Sequence, residues 1–188
     1  MSGSLAHLPD PRQVDADIEL RKVTVRHAGE VFSLIDRNRP FLRRWMPWLD
    51  DALDMADTMD FVRASEAMAR EGRGVQFGVW YRHVLAGLAG FNRVNRHNRQ
   101  GDIGYWLGET FQGRGIMRRT VKALVGMAFE DLELHRVQIF CAPGNTRSRA
   151  IPEALGFRME GTMREAEWLY DHFEDSVIYS RLATDGSR

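Results

Sequence analysis

Cysteine is almost missing. Cys141 stands alone in 188 residues, which excludes an intramolecular disulfide and any cysteine-built zinc cluster. Net charge is missing too: 26 Lys and Arg balance 26 Asp and Glu. The long-range field that draws a protein to nucleic acid or an anionic membrane is therefore weak, and any phosphate binding has to be local. No apolar run approaches the roughly 20 residues that span a bilayer, and Met1–Asp17 carries neither the basic region nor the apolar core of a signal peptide. His27, His83, His97, His135 and His172 are scattered without metal-ligand spacing, so no metal is expected. There is no internal repeat and no low-complexity segment. What is present, 44% hydrophobic and 28% charged residues, is ordinary for one globular domain. The expected location is cytoplasmic, with no direct nucleic-acid or membrane partner.

Along the chain, Met1–Asp17 reads as a loose tail, residues 18–183 as one domain and residues 184–188 as a second tail. Ile18–Thr24 predicts a strand, and His27–Arg37, with Val31, Leu34 and Ile35 at helical spacing, a helix closed by Pro40. Asp57–Glu71 predicts a second helix. Val75–Tyr81 and Val84–Asn92 predict a hairpin around Arg82-His83. Arg93–Gly101 reads as a loop, Ile103–Leu107 as a strand, and Ile116–Leu132 as a helix burying Val121, Leu124, Val125, Ala128 and Phe129. Val137–Ala142 is a short strand and Asn145–Leu155 a short helix stopped by Gly156. Thr162–Tyr170 and Phe173–Leu182 are two last strands. This order predicts a single-domain α/β (α+β) fold: a mixed sheet of about seven strands with helices on both faces.

Between the strand Ile103–Leu107 and the next helix lies Gln112-Gly113-Arg114-Gly115-Ile116-Met117. Unpaired N–H groups at a helix start, at the positive end of its dipole, suit phosphate oxygens. Gly113 and Gly115 permit positive φ and close approach, and Arg114, Arg118 and Arg119 add charge. A plain glycine turn into a helix is the alternative. The P-loop string G-x-x-x-x-G-K-[ST] does not occur, and the dinucleotide pattern G-x-G-x-x-G fails at Arg118.

The segment does resemble the Q/R-x-x-G-x-G/A pattern of the GNAT N-acetyltransferase superfamily. Met117, in place of Gly or Ala, is similar to the RimJ/RimL branch, which acetylates protein N-termini. Asn145–Pro152, Leu155-Gly156-Phe157 and Glu160-Gly161 resemble that branch's second motif. Ile103–Leu107 is similar to its cofactor-flanking strand, and Trp45-Met46-Pro47-Trp48 to its Trp-rich early helix. The resemblance runs from about Ile18 to Leu182. It implies a mostly antiparallel GNAT sheet, acetyl-CoA as co-substrate, direct attack by a primary amine, and a homodimer. It also implies a bulge in the strand Ile103–Leu107, with backbone groups of Trp106 and Leu107 beside the thioester. Gln112, Gly113, Arg114, Gly115, Ile116, Met117 and Arg118 would cradle the pyrophosphate. Asn145 would contact the cofactor, cap the next helix, or do both.

Acetyl transfer from a thioester needs a base for the amine, donors for the oxyanion and a proton for the thiolate. Glu167, among Ala166, Trp168 and Tyr170, is the favoured base, because an apolar setting raises a carboxylate pKa. Ser148, in the first turn of its helix, is the favoured acid. Their spacing resembles the base and acid pair of RimL-type enzymes. The structural alternatives are a capping Ser148 and a Glu167 paired with an Arg across the sheet. Tyr105 and Tyr170 are competing acids and Glu160 a competing carboxylate; Cys141 reads as a small core residue. Phe41, Trp45 and Trp48 would wall the acceptor site. Asp50, Asp51, Asp54, Asp57 and Asp60 form either an acidic rim for a cationic acceptor or a solvated helix start. His97, Asn92 and Asn98 lie just before the cofactor strand, where a substrate contact is conceivable. The expected acceptor is a protein N-terminal α-amine, such as that of a ribosomal protein. The alternatives are a small amine (polyamine, aminoglycoside or amino acid) and a non-catalytic acyl-CoA-binding domain.

Overall fold

The computed structural model describes residues 5–185. Its strands are β1 (Arg12–Gln13), β2 (Ile18–Lys22), β3 (Val75–Tyr81), β4 (Val84–Asn95), β5 (Gln100–Leu107), β6 (Arg136–Cys141), β7 (Arg158–Leu169) and β8 (His172–Leu182). The helices are α1 (Ala28–Arg37), α2 (Arg39–Leu42), α3 (Met55–Arg70), α4 (Ile116–Gly126) and α5 (Thr146–Ala154). All eight strands join one sheet in the order β1-β2-β3-β4-β5-β6-β8-β7. Every pairing is antiparallel except β5 with β6, whose parallel direction needs a crossover, supplied by α4.

The sheet buries both faces. Phe77, Val79, Phe91, Ile139 and Tyr179 pack with Ile116, Val121, Leu124 and Val125 of α4. Trp80, Leu85 and Leu88 pack on the other face with Val31, Leu34 and Ile35 of α1, with Leu42, and with Val62 of α3. The mixed sheet with helices on both faces stands as the sequence pattern implied.

Several boundaries differ from the sequence reading. The eighth strand is β1, and Leu5 and Leu8 are buried, so residues 5–17 are packed rather than loose. Met1–Ser4 and Gly186–Arg188 lie outside the described residues. The expected loop Arg93–Gly101 is mostly strand, because Arg93, Val94 and Asn95 pair with Asp102, Gly101 and Gln100. Its polar residues lie on exposed positions of a regular ladder, which composition alone reads as loop. The long helix from Ile116 widens after Gly126 into a π turn, where Leu132 N–H reaches back to Met127 O (2.9 Å). That turn keeps Met127, Ala128 and Leu132 all buried. Arg82-His83, with φ of 49° and 67°, makes the tight hairpin turn that the pattern predicted.

The ladder between β5 and β6 stops after Asp102 and Gln138. Beyond it, Ile103–Leu107 stays on β4 while Ile139–Cys141 stays on β8, and the two strands part. A gap in the middle of a sheet leaves backbone groups without partners. The site is built around it.

Candidate active site

The first part of the site is the turn into α4. Gly113 and Gly115 sit at φ of 75° and 67°, and nothing lies within 4 Å of where a Cβ would stand on either. Glycine is required here for backbone conformation, not for space. Among the described residues no hydrogen-bond acceptor is found for the amides of Gly113, Arg114, Gly115, Ile116, Met117 and Arg118, and the next one, Arg119 N–H, bonds Gly115 O (3.2 Å). Six successive amides left open at a helix start form a cradle for an anion such as a pyrophosphate. The side chains divide otherwise. Ile116 and Met117 are buried, so Ile116 offers only its backbone, while Met117 also forms part of the cleft wall. Arg119 is taken by Asp15 (2.7 Å), whereas among the described residues Arg118 has no ion pair and Arg114 lies 6.0 Å from the Tyr81 ring.

From this turn a cleft of about 420 Å³ runs along the gap, bounded by Trp106, Leu107, Gln112, Met117, Asn145 and Ser148. Arg44 and Arg147 also reach it. Neither was singled out in the sequence, although Arg147 lies two residues after Asn145. Trp106 and Leu107 are not equivalent. Gly108 N–H bonds Ala86 O on β4 (2.8 Å), so alternation turns the Trp106 amide toward β4 and the Leu107 amide toward the gap. Gln112 Nε2 donates to the Leu107 carbonyl (3.2 Å) and steadies that residue. The expected bulge is not in Ile103–Leu107; the ladder irregularity lies across from it, between Phe91 and Arg93, and leaves Asn92 as the extra residue.

Asn145 caps α5, its Oδ1 accepting from Ser148 N–H (3.2 Å), and its side chain also lines the cleft. The Ser148 hydroxyl donates to Tyr105 Oη (3.3 Å) and lies 3.2 Å from Cys141 Sγ, while Tyr105 Oη donates to the Ser148 carbonyl (3.0 Å). Burial pushes the Tyr105 phenol well above its usual pKa, with the neighbouring Cys141 adding to the shift. Burial also raises the Cys141 thiol, which keeps it protonated and a poor nucleophile. Tyr170 lies elsewhere: its hydroxyl bonds the Met46 carbonyl, in a separate cleft between the β7–β8 turn and Arg43.

Beside Ser148 and Tyr105 opens a cavity of about 380 Å³ whose far wall carries Glu167. Across the ladder Glu167 faces Glu174, not an Arg, and among the described residues it has no ion pair. Glu167 is exposed at the edge of this cavity, but the walls on its inner side take enough water from it to raise its pKa, and the Glu174 charge raises it further. Extra residues of β7 between Met163 and Glu167, including Glu165 at φ 52°, set this register. Glu160 is different. Arg136 grips both of its oxygens, one at 2.8 Å, Ser180 Oγ donates at 2.6 Å, and its pKa is lowered to about 2. It is a structural ion pair.

Trp45 and Trp48 line this cavity, but Phe41 borders only the cleft on the side of the α4 turn. Of the aspartates, Asp50 pairs with Arg43, Asp54 and Asp57 form the capping box of α3, and Asp60 pairs with Arg63. The helix-start reading holds for Asp54 and Asp57, while arginines hold Asp50 and Asp60; Asp51 alone has no partner among the described residues.

Residues 17–158 match the family model described as an acetyltransferase (GNAT) domain. Ribosomal-protein-serine acetyltransferase of Escherichia coli is 30% identical over 170 residues, covering 90% of this chain and 95% of that protein. Among solved structures, the ribosomal L7/L12 alpha-N-protein acetyltransferase RimL in complex with coenzyme A superposes with a TM-score of 0.89 at 27% identity, covering 92% of this chain and 98% of that one. The microcin C7 self-immunity acetyltransferase MccE, in complex with acetyl-CoA and AMP, gives 0.88 at 27% identity, covering 95% and 99%. The chain belongs to the GNAT family and is an N-acetyltransferase.

Proposed function

We propose that this enzyme acetylates the α-amino group of a protein N-terminus, with acetyl-CoA as donor and by direct attack of the amine. The observation that carries the reading is the meeting, at one gap in the sheet, of six open amides, a protonated hydroxyl pair and a carboxylate of raised pKa. Acetyl-CoA supplies an activated thioester. The amides of Gly113–Arg118 hold its pyrophosphate, with Arg118 and Arg147 free to add charge, and Asn145 borders the same cleft. Leu107 N–H, turned into the gap, is the donor for the thioester carbonyl oxygen.

Glu167 takes the proton from the incoming ammonium, directly or through a water. A carboxylate raised by partial loss of water and by a like charge suits that task near neutral pH. Ser148 gives the departing sulfur its proton by turning its O–H away from Tyr105 Oη. The Tyr105 phenol, protonated throughout the neutral range, swings its own O–H from the Ser148 carbonyl to Ser148 Oγ and replaces that proton, its own being restored from solvent. Trp45 and Trp48 flank the acceptor. The protein-acceptor reading draws on the ribosomal-protein acetyltransferases among the relatives. A small amine is the alternative, and the microcin-immunity relative that binds AMP is its support.

The test is thiol release from acetyl-CoA against N-terminal peptides and a panel of polyamines, aminoglycosides and amino acids. Peptide turnover with acetyl on the α-amine is the expected result. Turnover of small amines alone overturns the protein-acceptor reading, and tight coenzyme A binding without any turnover overturns the catalytic assignments.

A further inference from the structure

The cavity that holds Glu167 and Ser148 continues sideways. On the same face of the sheet, under α1 and α3, lies a second cavity of about 390 Å³. Both are bordered by Met46, Trp48, Asn92, Gly104 and Tyr105, so a molecule bound in one can extend into the other. The second is apolar in its depth, where Val31, Ile35 and Leu88 are buried and the Trp106 ring closes one side, 6.2 Å from that of Trp48.

Its polar groups stand at the junction and at the lip. At the junction, Asn92 Oδ1 accepts from Gln76 Nε2 (2.9 Å), which orients the amide and leaves Nδ2 without an acceptor among the described residues. Asn92 can lie there only because residue 104 is glycine: a Cβ on Gly104 would stand 2.2 Å from Asn92 Nδ2. At the lip is Asp51, the one carboxylate of the aspartate run that no cation or N–H engages.

We propose that this apolar cavity receives a large aliphatic or aromatic side chain from one of the acceptor's first two residues, with Asn92 Nδ2 donating to the acceptor's first carbonyl. The proposal rests on the peptide-acceptor reading above and adds a selectivity to it. A polyamine has only short methylene runs between charged nitrogens and an aminoglycoside is hydroxylated throughout, so each gains less from these walls than a Leu or Phe side chain does. An acyl-linked amine with an apolar neighbour matches the walls, the amide donor and the acidic lip together. Moving a Leu or Phe side chain out of water into such a site is worth about one to two orders of magnitude in kcat/KM.

The experiment uses the full-length enzyme, acetyl-CoA and peptides identical except at positions one and two, where Leu or Phe replaces Gly or Ser. The expected kcat/KM is at least tenfold higher for the apolar residue at one of those positions, with the difference residing in KM. Ala52→Trp puts an indole into the cavity from a half-buried position and should abolish that advantage, leaving the Gly and Ser peptides within about twofold of the wild type. Phe61→Ala removes a wall residue that is 43% exposed, so folding tolerates it, and should shrink the advantage. Tryptophan fluorescence titrated with leucinamide and glycinamide in the presence of coenzyme A reads the cavity without turnover. Peptides acetylated with no apolar preference, or a preference untouched by Ala52→Trp, overturn the proposal while the peptide reading stands. Selective leucinamide binding, lost in Ala52→Trp but with no peptide acetylated, sinks the peptide reading and leaves the cavity assignment intact.

Discussion

Removing the Tyr105 hydroxyl separates a structural from a catalytic role, because the two predict effects of different size. In Tyr105→Phe the Ser148 carbonyl loses its donor at 3.0 Å and the Ser148 hydroxyl its acceptor at 3.3 Å. Ser148 Oγ keeps Cys141 Sγ at 3.2 Å, so one backbone carbonyl is the main group left wanting. Losing one partly buried hydrogen bond costs about 1 kcal/mol, or about 2–4 °C in Tm for a chain of this size. If the phenol feeds the proton that Ser148 passes to the leaving sulfur, kcat should fall by about 10²-fold or more, which is about 3 kcal/mol in the barrier. The assay is thiol release at saturating acetyl-CoA and acceptor, beside thermal unfolding of the same preparations. Ser148→Ala should give a similar loss, and the double variant should be little worse than either single one, since groups acting as a unit are not additive. A Tyr105→Phe enzyme that loses 2–4 °C but keeps kcat within about threefold of wild type would refute the relay and leave Tyr105 as packing.

Other perturbations probe the remaining parts of the site. Glu167 acts only when ionised and its pKa is raised, so kcat/KM should fall with decreasing pH along a limb above the ordinary carboxylate range. Glu167→Gln should remove that limb and lower kcat by about 10²-fold. A carboxyl with a raised folded-state pKa binds more protons folded than unfolded, so it costs stability as pH rises through that window. The same variant should therefore unfold at slightly higher urea at pH 7, and a destabilised Glu167→Gln would argue for a structural role. Gly115→Ala forces φ of 67° on a residue with a Cβ, at a cost of about 1–2 kcal/mol. Its Tm should drop by several degrees and its coenzyme A affinity should fall; unchanged calorimetric affinity would remove this turn from the cradle. Glu160, at about 2 rather than the ordinary 4.5, corresponds to about 3 kcal/mol for an isolated pair. Its side chain is 41% exposed, and screening reduces that to about 1 kcal/mol. Glu160→Gln should thus lose about 1 kcal/mol at pH 7 in urea unfolding. The difference should fade as pH drops from about 4.5 toward 2, with acetylation rates unaffected.

The parts legible in the sequence are those set by local conformation. Gly113 and Gly115 announce positive φ, Val121, Leu124 and Val125 announce a buried stripe, and Asn145 announces a cap; each sits where those rules put it. What sequence could not supply depends on distant strands meeting. Glu167 suited a carboxylate of raised pKa by its apolar neighbours in the chain, yet two of them, Ala166 and Trp168, are exposed. The shift comes instead from the cavity wall and from Glu174 across the ladder. Tyr105 and Ser148 are 43 residues apart, and only the parting of β5 from β6 brings their hydroxyls together. The sequence placed Asn92 at the end of a strand and near a conceivable substrate contact, but that it is the extra residue of a β-ladder, turned onto a glycine of the next strand, depends on the same kind of meeting.

These long-range features also account for the division of labour in the site. The donor side is held by backbone amides at one helix start, a unit that one short motif can encode. The acceptor side is assembled from α1, the residues between α2 and α3, α3, β4, β5 and β7, so no single motif describes it and a substitution in any of them can reshape it. The identity of the acceptor is therefore expected to track residues such as Asn92, Gly104 and Ala52 more closely than the glycine turn. Exchanging those three should shift peptide preference while leaving coenzyme A affinity unchanged.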